Sequence, residues 1–332
     1  MTIYYDQRWL GPHGIGRFAT EVIKRTGYLK AGISGKPLTL EDPWKIRARL
    51  LQLKPTHFFS PGFNPPFGRP CSFSLTVHDL IHLEVPEERS VAKTLFYQWV
   101  IKPALHRADV VFTVSEYSRA KIIDWAGVSP ERIVCVGNGV DASFSADGPQ
   151  KQHPRPYLLY VGNQKPHKNV AGLVEAFAKS RLAQDYDLLV TGTVSPAVAK
   201  SAALGRVSDR VIGLGLVPDV ELPALYRGAI ALVMPSRYEG FGLPLVEAMA
   251  CGTPVLSSNR TSLPEVGGDA VAYFDPDDVD SVVATLNAVQ DTVFLARLRE
   301  AGLARAGLFS WDQVAASIDA CIQQAIANNV RA

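Results

Sequence analysis

Two glutamates, Glu239 and Glu247, stand eight positions apart in the run SRYEGFGLPLVEAMACGTP at 236–254. Glu239 opens a glycine-rich turn, Gly240-Phe241-Gly242, after which Leu243, Leu245, Val246 and Met249 recur along one face of a helix. An apolar run at 229–234 precedes the turn and reads as a buried strand; Gly252 stops the helix and 254–256 begins another strand. A strand, a tight glycine loop and a helix start present backbone N–H groups and the positive end of a helix dipole to an anion. A carboxylate is no group to hold phosphate. Glu239 on the loop and Glu247 on the helix are suited to accept hydrogen bonds from the hydroxyls of a sugar or a ribose.

Other polar groups collect on strand-end loops. The loop at 162–169 carries Lys165, His167 and Lys168 behind a strand at 157–161. A lysine beside helix-start amides can hold a diphosphate without a metal and stabilise the charge on a leaving diphosphate. Near the chain start, Gly11-Pro12-His13-Gly14-Ile15-Gly16-Arg17 links a strand at 2–5 to a helical pattern with Phe18, Val22 and Ile23. Glycines there let a ligand or another stretch of backbone come close. His78 and Asp79 end a strand at 72–77. Ligands of open α/β sheets bind at such strand ends, though a capping or core-edge histidine is the plainer alternative. No Ser-His-Asp order, HExxH, Walker A or CxxC is present. The acidic run 275–278 reads as a solvated turn rather than a metal site.

The elements that must position these groups alternate along the chain. The first half offers a helix at 44–53, a strand at 56–60, a proline-rich loop at 61–70 and a long helix at 87–108. That helix mixes Lys93, Lys102, His106 and Arg107 with Phe96, Tyr97, Trp99 and Ile101. Such a helix either lies on a membrane surface or packs its aromatics into the domain. A strand at 109–114, a helix at 119–126 capped by Ser115 and a strand at 133–136 follow. The polar, proline-bearing stretch around 142–156 reads as a linker. Beyond it, strand and helix alternate from 157 to 274, the pattern of a parallel sheet. The reading is α/β: two Rossmann-like doubly wound domains facing a cleft. Residues 1–145 form the first, 146–156 the linker, 157–310 the second, and 311–332 a helix packing back on the first.

A chain of 332 residues exceeds what one core usually supports, in keeping with two domains. Residues 1–150 hold 18 basic and 14 acidic residues and the remainder 16 and 18, too mild an asymmetry to argue nucleic-acid binding. Cys71, Cys135, Cys251 and Cys321 are far apart and without zinc or redox spacing, which points to a reducing, cytoplasmic compartment. The start MTIYYDQRW lacks the pattern of a signal peptide.

Glu239 and Glu247 within EGFGLPLVEAMACGTPV resemble the signature of the retaining GT-B glycosyltransferases of family GT4. GIGRF near the start, VHD at 77–79, VSEYS at 114–118, GNGVD at 137–141 and KN at 168–169 extend the resemblance over both halves. The resemblance implies a GT-B fold, a nucleotide-sugar donor in the second domain, an acceptor mainly on the first, and metal-independent transfer with retention. It implies that Glu247 binds the donor ribose and Glu239 the donor sugar's hydroxyls. Amides of Gly240, Phe241, Gly242 and Leu243 would meet the sugar and diphosphate, with Lys168 neutralising the latter. Gly14 and Gly16 would approach from the first domain, His78 would lie near the reacting centre, and Val217 would frame the base. Asn163 stands where many members carry arginine; Lys165, His167, Arg17 or Arg237 would have to replace that cation. The 162–169 loop is most similar to mannosyl- and related deoxyhexosyltransferases. That implies GDP-mannose as donor, no other cofactor, and a glycan or polyprenyl-linked acceptor in bacterial surface polysaccharide synthesis (O-antigen or exopolysaccharide). Contact with the inner membrane surface would follow. A UDP-sugar-dependent GT4 enzyme and a non-catalytic nucleotide-binding GT-B protein are the alternatives.

Overall fold

The computed structural model describes residues 1–11 and 14–331. By its internal contacts the chain divides into two units, Met1–Gly139 with Ser310–Ala332, and Val140–Phe309. Each is built on a six-stranded sheet in which every paired strand is parallel.

The second unit contains β7 (Tyr157–Tyr160), β8 (Asp187–Val190), β9 (Val211–Gly213), β10 (Ala231–Met234), β11 (Val255–Ser258) and β12 (Ala272–Phe274). The first unit contains β1 (Ile3–Tyr5), β2 (Leu29–Lys30), β3 (His57–Ser60), β4 (Ser72–Thr76), β5 (Val110–Thr113) and β6 (Ile133–Cys135). The second sheet has the order β12-β11-β10-β7-β8-β9. Its chain therefore winds outward from β7 on one side, returns, and winds outward from β10 on the other. Neighbouring connections leave β7 and β10 on opposite faces, and the crevice this opens at their C-terminal ends is where doubly wound folds hold ligands. The strands that border it are wholly buried, with Leu158, Leu159, Leu232 and Val233 inaccessible to solvent, so the two loops leave a rigid edge.

The first sheet has the other doubly wound order, β2-β1-β3-β4-β5-β6, with its reversal between β1 and β3. A buried ion cluster fixes the loops there. Arg8, just beyond β1, donates to Asp6 at 2.6 Å and to Asp42 at 2.5 Å, and all three side chains are at most 7% exposed. Asn64, from the loop after β3, also donates to Asp42. Burial alone would lower the Arg8 guanidinium, but its hydrogen bonds and the charges of Asp6 and Asp42 hold it above its ordinary value.

The C-terminal helix Trp311–Arg331 belongs to the first unit and packs on the helix Gly14–Thr26. Trp311 meets Phe18 edge-on, and Tyr28 donates to Asp319 at 2.8 Å. Gly139 is required at the crossing, since a Cβ there would stand 2.2 Å from the Trp311 amide nitrogen.

The structure corrects three expectations and adds one edge strand. The stretch 146–156 is no free linker but part of the second unit: Lys151 N–H donates to Ala224 O at 2.8 Å and Arg227 Nε to Pro149 O at 2.8 Å. Prolines remove donors without preventing such main-chain contacts. The helix expected at 87–108 starts instead at Val91, capped by Ser90, and is interrupted by a π turn at Tyr97–Ile101. Pro103 explains the interruption, because it lacks an N–H and crowds the carbonyl one turn back. Gly14 and Gly16 lie in the first turn of a helix rather than in a loop. The edge strand β2 was unforeseen, being two exposed residues with no apolar run. Pro12 and His13 of the glycine-rich start lie outside the described residues.

Replacing Arg8 by methionine leaves two buried carboxylates without their cation. Loss of a buried partner costs about 3–5 kcal/mol. The expected melting temperature falls by roughly 10 °C, measured by calorimetry; an unchanged melting temperature would show that the cluster holds nothing.

Candidate active site

The loops after β7 and β10 meet at the reversal of the second sheet. Lys168 ends a short 3-10 turn, Pro166–Lys168, behind β7. Glu239 lies in the loop between β10 and the helix Leu243–Ala250. The Lys168 ammonium donates to both Glu239 oxygens, at 2.8 and 2.7 Å, with the lysine 18% and the glutamate 13% exposed. The Ser236 hydroxyl donates to Glu239 Oε1 at 2.7 Å. An ammonium has three donors and a carboxylate about four acceptor positions. The pair thus keeps one donor and one acceptor position for a ligand.

The rest of the loop is tied down from β11. The Glu239 N–H donates to Thr261 Oγ1 at 3.0 Å. Ser262 Oγ donates to the carbonyls of Glu239 and Phe241 at 3.0 and 3.1 Å, and Ser258 Oγ to Ser236 O at 2.5 Å. With its carbonyls turned toward β11, the loop is held in one shape. Gly242 has a φ of 103°, and a Cβ there would lie 2.7 Å from the Leu263 side chain, so the helix start needs glycine. Pro244 has no N–H and the Leu245 N–H closes on Gly242 O at 3.0 Å. The donors left to the helix start therefore lie at or before Leu243. Phe241 is buried against Phe309.

Glu247 is buried one turn into this helix and accepts a hydrogen bond from Tyr226 at 2.9 Å. Tyr226 is itself fully buried, with Thr253 Oγ1 donating to its carbonyl at 2.7 Å. One carboxylate oxygen is thereby fixed. In the β7 loop, Tyr160 donates to the Asn163 carbonyl, and burial first and the Glu239 charge second keep its phenol protonated above the ordinary range. Gly162 adopts a φ of 144° below that hydroxyl.

The structure brings Lys168, Glu239, Gly240, Phe241, Gly242, Leu243 and Glu247 onto adjoining elements of one sheet edge. Asn163 turns its side-chain oxygen to the Lys165 N–H at 3.2 Å, and Lys165 is exposed on the same loop. Arg237 pairs with Asp277 at 2.6 Å, while its N–H donates to His167 O at 2.8 Å and so joins the two loops. The acidic turn at 275–278 thus carries a positioning contact. Val217 stands apart, half-buried beyond β9, three strands from β10 or about 14 Å at normal strand spacing.

In the first unit, His78 is buried beyond β4, donating from Nε2 to Pro61 O at 3.0 Å and meeting Phe18 edge-on at 4.9 Å. Phe18 lies on the helix that Gly14 and Gly16 begin, which places these three residues in one neighbourhood. A Cβ on Gly16 would stand 2.2 Å from Gly11 O, so it is another backbone that this glycine admits. Gly14 faces open space. Sequence reasoning missed Ser236, Thr261, Ser262 and Tyr226, which hold the glutamates. Only Ser236, three positions before Glu239, offered a local signal; the others are brought in by the sheet.

Two doubly wound parallel sheets, the second bearing this charged loop at its reversal, form a two-domain α/β architecture of the GT-B type. Solved structures share it: sucrose-phosphate synthase from Thermosynechococcus elongatus superposes with a TM-score of 0.76 at 18% identity, covering 98% of this chain and 99% of that one. Anabaena HepE in complex with UDP and glucose gives 0.78 at 17%, covering 98% and 100%. The model of Glycosyltransferase Family 4 matches residues 5–144, and that of Glycosyl transferases group 1 matches residues 143–302. O-antigen chain mannosyltransferase B of Escherichia coli is 32% identical over 306 residues, which is 86% of this chain and 80% of that protein. The MMP alpha-(1->4)-mannosyltransferase of Mycolicibacterium hassiacum is 34% identical over 76% of this chain and 65% of its own. Serotype-specific mannosyltransferase WbdA of Escherichia coli is 31% identical, and the chain spans 33% of its length. The chain belongs to the family 4, group 1 glycosyltransferases, and is a glycosyltransferase.

Gly242→Ala forces a residue with a side chain into left-handed backbone, at about 1–2 kcal/mol, and pushes Leu263 aside. Nucleoside diphosphate affinity is expected to fall about tenfold or more, that penalty being roughly one decade in affinity. Isothermal titration reads it, and wild-type affinity would mean that the helix start does not bind the ligand.

Proposed function

We propose that this glycosyltransferase moves a mannosyl residue from GDP-mannose to a glycan or polyprenyl-linked acceptor of a bacterial surface polysaccharide, with retention at the anomeric carbon and without a metal. The observation that carries the reading is the Lys168–Glu239 pair beside the start of helix 243–250. The relatives named as mannosyltransferases support the sugar.

In this reading the third donor of Lys168 and the amides of 240–243 meet the diphosphate. They stabilise the charge that grows on it as the glycosidic bond breaks. Glu239 uses its remaining acceptor position on a sugar hydroxyl. Glu247, with one oxygen fixed by Tyr226, turns the other to the ribose. His78, with Gly14 and Gly16 in its neighbourhood, is the first unit's own contact with substrate; Val217 frames the base. Lys165, exposed on the same loop, acts for the arginine that Asn163 replaces. Retention follows from attack on the face that the diphosphate leaves, a phosphate oxygen taking the acceptor proton. A lipid-linked acceptor puts the enzyme at the cytoplasmic face of the inner membrane.

A thermal-shift screen with GDP, UDP, ADP and their sugar conjugates tests this. A ligand at about 100 times its Kd stabilises by about 2.7 kcal/mol. GDP and GDP-mannose are expected to raise the melting temperature, and Glu247→Ala to remove most of the shift. A response to UDP-sugars alone would replace the donor, and no response to any nucleotide would overturn the reading.

A further inference from the structure

The first unit carries an apolar face with no catalytic assignment. Along the helical stretch 91–107, Val91, Leu95 and Trp99 recur every fourth residue and point outward, Val91 and Trp99 each 77% exposed. Leu40, 78% exposed, lies beside them, with Trp44 and Phe67 in edge-to-face contact and each half exposed. Leu40 separates two clefts. One of about 270 Å³ is lined by Leu38, Phe63 and Leu95. The other, about 220 Å³, lies between Trp44, Phe67 and Trp99 and has Arg107 in its wall. Large apolar side chains gathered in one exposed patch mark an interaction surface.

Along the helical stretch itself the charge has one sign; the acidic Glu41, Glu87 and Glu88 lie on the flanking segments, Glu41 paired with Lys45 at 2.9 Å. Residues 89–107 contain Arg89, Lys93, Lys102 and Arg107 and no aspartate or glutamate. Arg89 and Lys102 donate to the main-chain carbonyls of Leu83 and Trp125, so no carboxylate cancels their charge in those contacts. Lys93 donates to Glu88 O, and its nearest carboxylate oxygen is 3.8 Å away. Arg107 is the sharpest case. Its Nε is buried and finds no hydrogen-bond partner among the described residues. Burial pulls this guanidinium below its ordinary value. A buried guanidinium donor in an apolar cleft lacks an acceptor oxygen with negative charge.

We propose that this face docks on an anionic phospholipid bilayer, with Trp99, Leu95, Val91 and Leu40 entering the headgroup region and Arg107 taking a lipid phosphate in the cleft between Trp44, Phe67 and Trp99. Tryptophan and leucine on one side of a helix with arginine and lysine beside them are the composition that lies in a bilayer interface. Surface potential draws the cations in and is screened by salt. The inference deepens the lipid-linked acceptor reading above. It supplies that acceptor's surroundings, and it rests on that reading only for its purpose.

Vesicle flotation of the full chain tests it, since it needs neither donor nor transfer. Vesicles of equal parts phosphatidylglycerol and phosphatidylcholine are expected to carry the protein up, vesicles of phosphatidylcholine alone to leave most of it behind, and high salt to release it. The double variant Leu95→Ser, Trp99→Ser changes exposed residues and should weaken binding about tenfold or more, as lost burial of two apolar side chains implies. Arg107→Gln should weaken binding to the anionic vesicles, and Arg107→Lys should restore part of it. Thermal shift with GDP-mannose on the same variants should be unchanged, which separates this face from the donor site. Equal flotation on neutral and anionic vesicles, unchanged flotation of the double variant, or inorganic phosphate displacing the protein from vesicles at millimolar level without any effect of Leu95 and Trp99 would each overturn the proposal. So would sedimentation showing that the face is covered by a second copy of the chain.

Discussion

The candidate site of the second unit is built on one ion pair at one point of its topology. Strand order β12-β11-β10-β7-β8-β9 makes β7 and β10 neighbours although 70 residues separate the end of one strand from the start of the other. That adjacency sets Lys168 against Glu239, 71 positions apart in sequence, at 2.7–2.8 Å. Half-buried in this way, the pair would be weak if it served stability alone, because removing two charges from water offsets most of their attraction. Its value lies in what it leaves over. One ammonium donor and one carboxylate acceptor position remain beside the start of the helix Leu243–Ala250. In the function proposed above, a diphosphate and a sugar hydroxyl take these two positions.

Around that pair, much of the polar bonding keeps loops still rather than touching ligand. Ser236, Thr261 and Ser262 hold Glu239 and the turn after it, and Tyr226 holds Glu247. Arg237 and Asn169 anchor the site loop and the β7 loop to the turn at 275–278, through Asp277 and the Pro276 carbonyl respectively. The first unit solves the same problem differently. There a buried Asp6–Arg8–Asp42 cluster pins the loops at the sheet's own reversal, and Gly11 closes over Gly16.

Much of this was legible in the sequence, and for identifiable reasons. Buried parallel strands read as apolar runs, so among the described residues eleven of the twelve strands are legible, and the exposed edge strand Leu29–Lys30 is not. The glycine loop, Glu239, Glu247 and Lys168 were visible because their chemistry is local to strand ends. What held them was hidden. Tyr226 looks like a core aromatic, and Thr261 and Ser262 look like turn residues, until the sheet brings β11 beside β10. The 146–156 stretch misled because proline content says nothing of main-chain acceptors. The break in the long helix is written in Pro103, two residues past the π turn.

The most direct test of the central claim is a double-mutant cycle on Lys168 and Glu239, reading kcat/KM for donor turnover in Lys168→Ala, Glu239→Gln and the double variant. If the two side chains act as a unit, the double variant is little worse than either single one, and the coupling is about 1–3 kcal/mol, as for contacting residues. Additive losses would mean that each residue works alone, and the paired site at the β7–β10 reversal would not be the seat of the reaction.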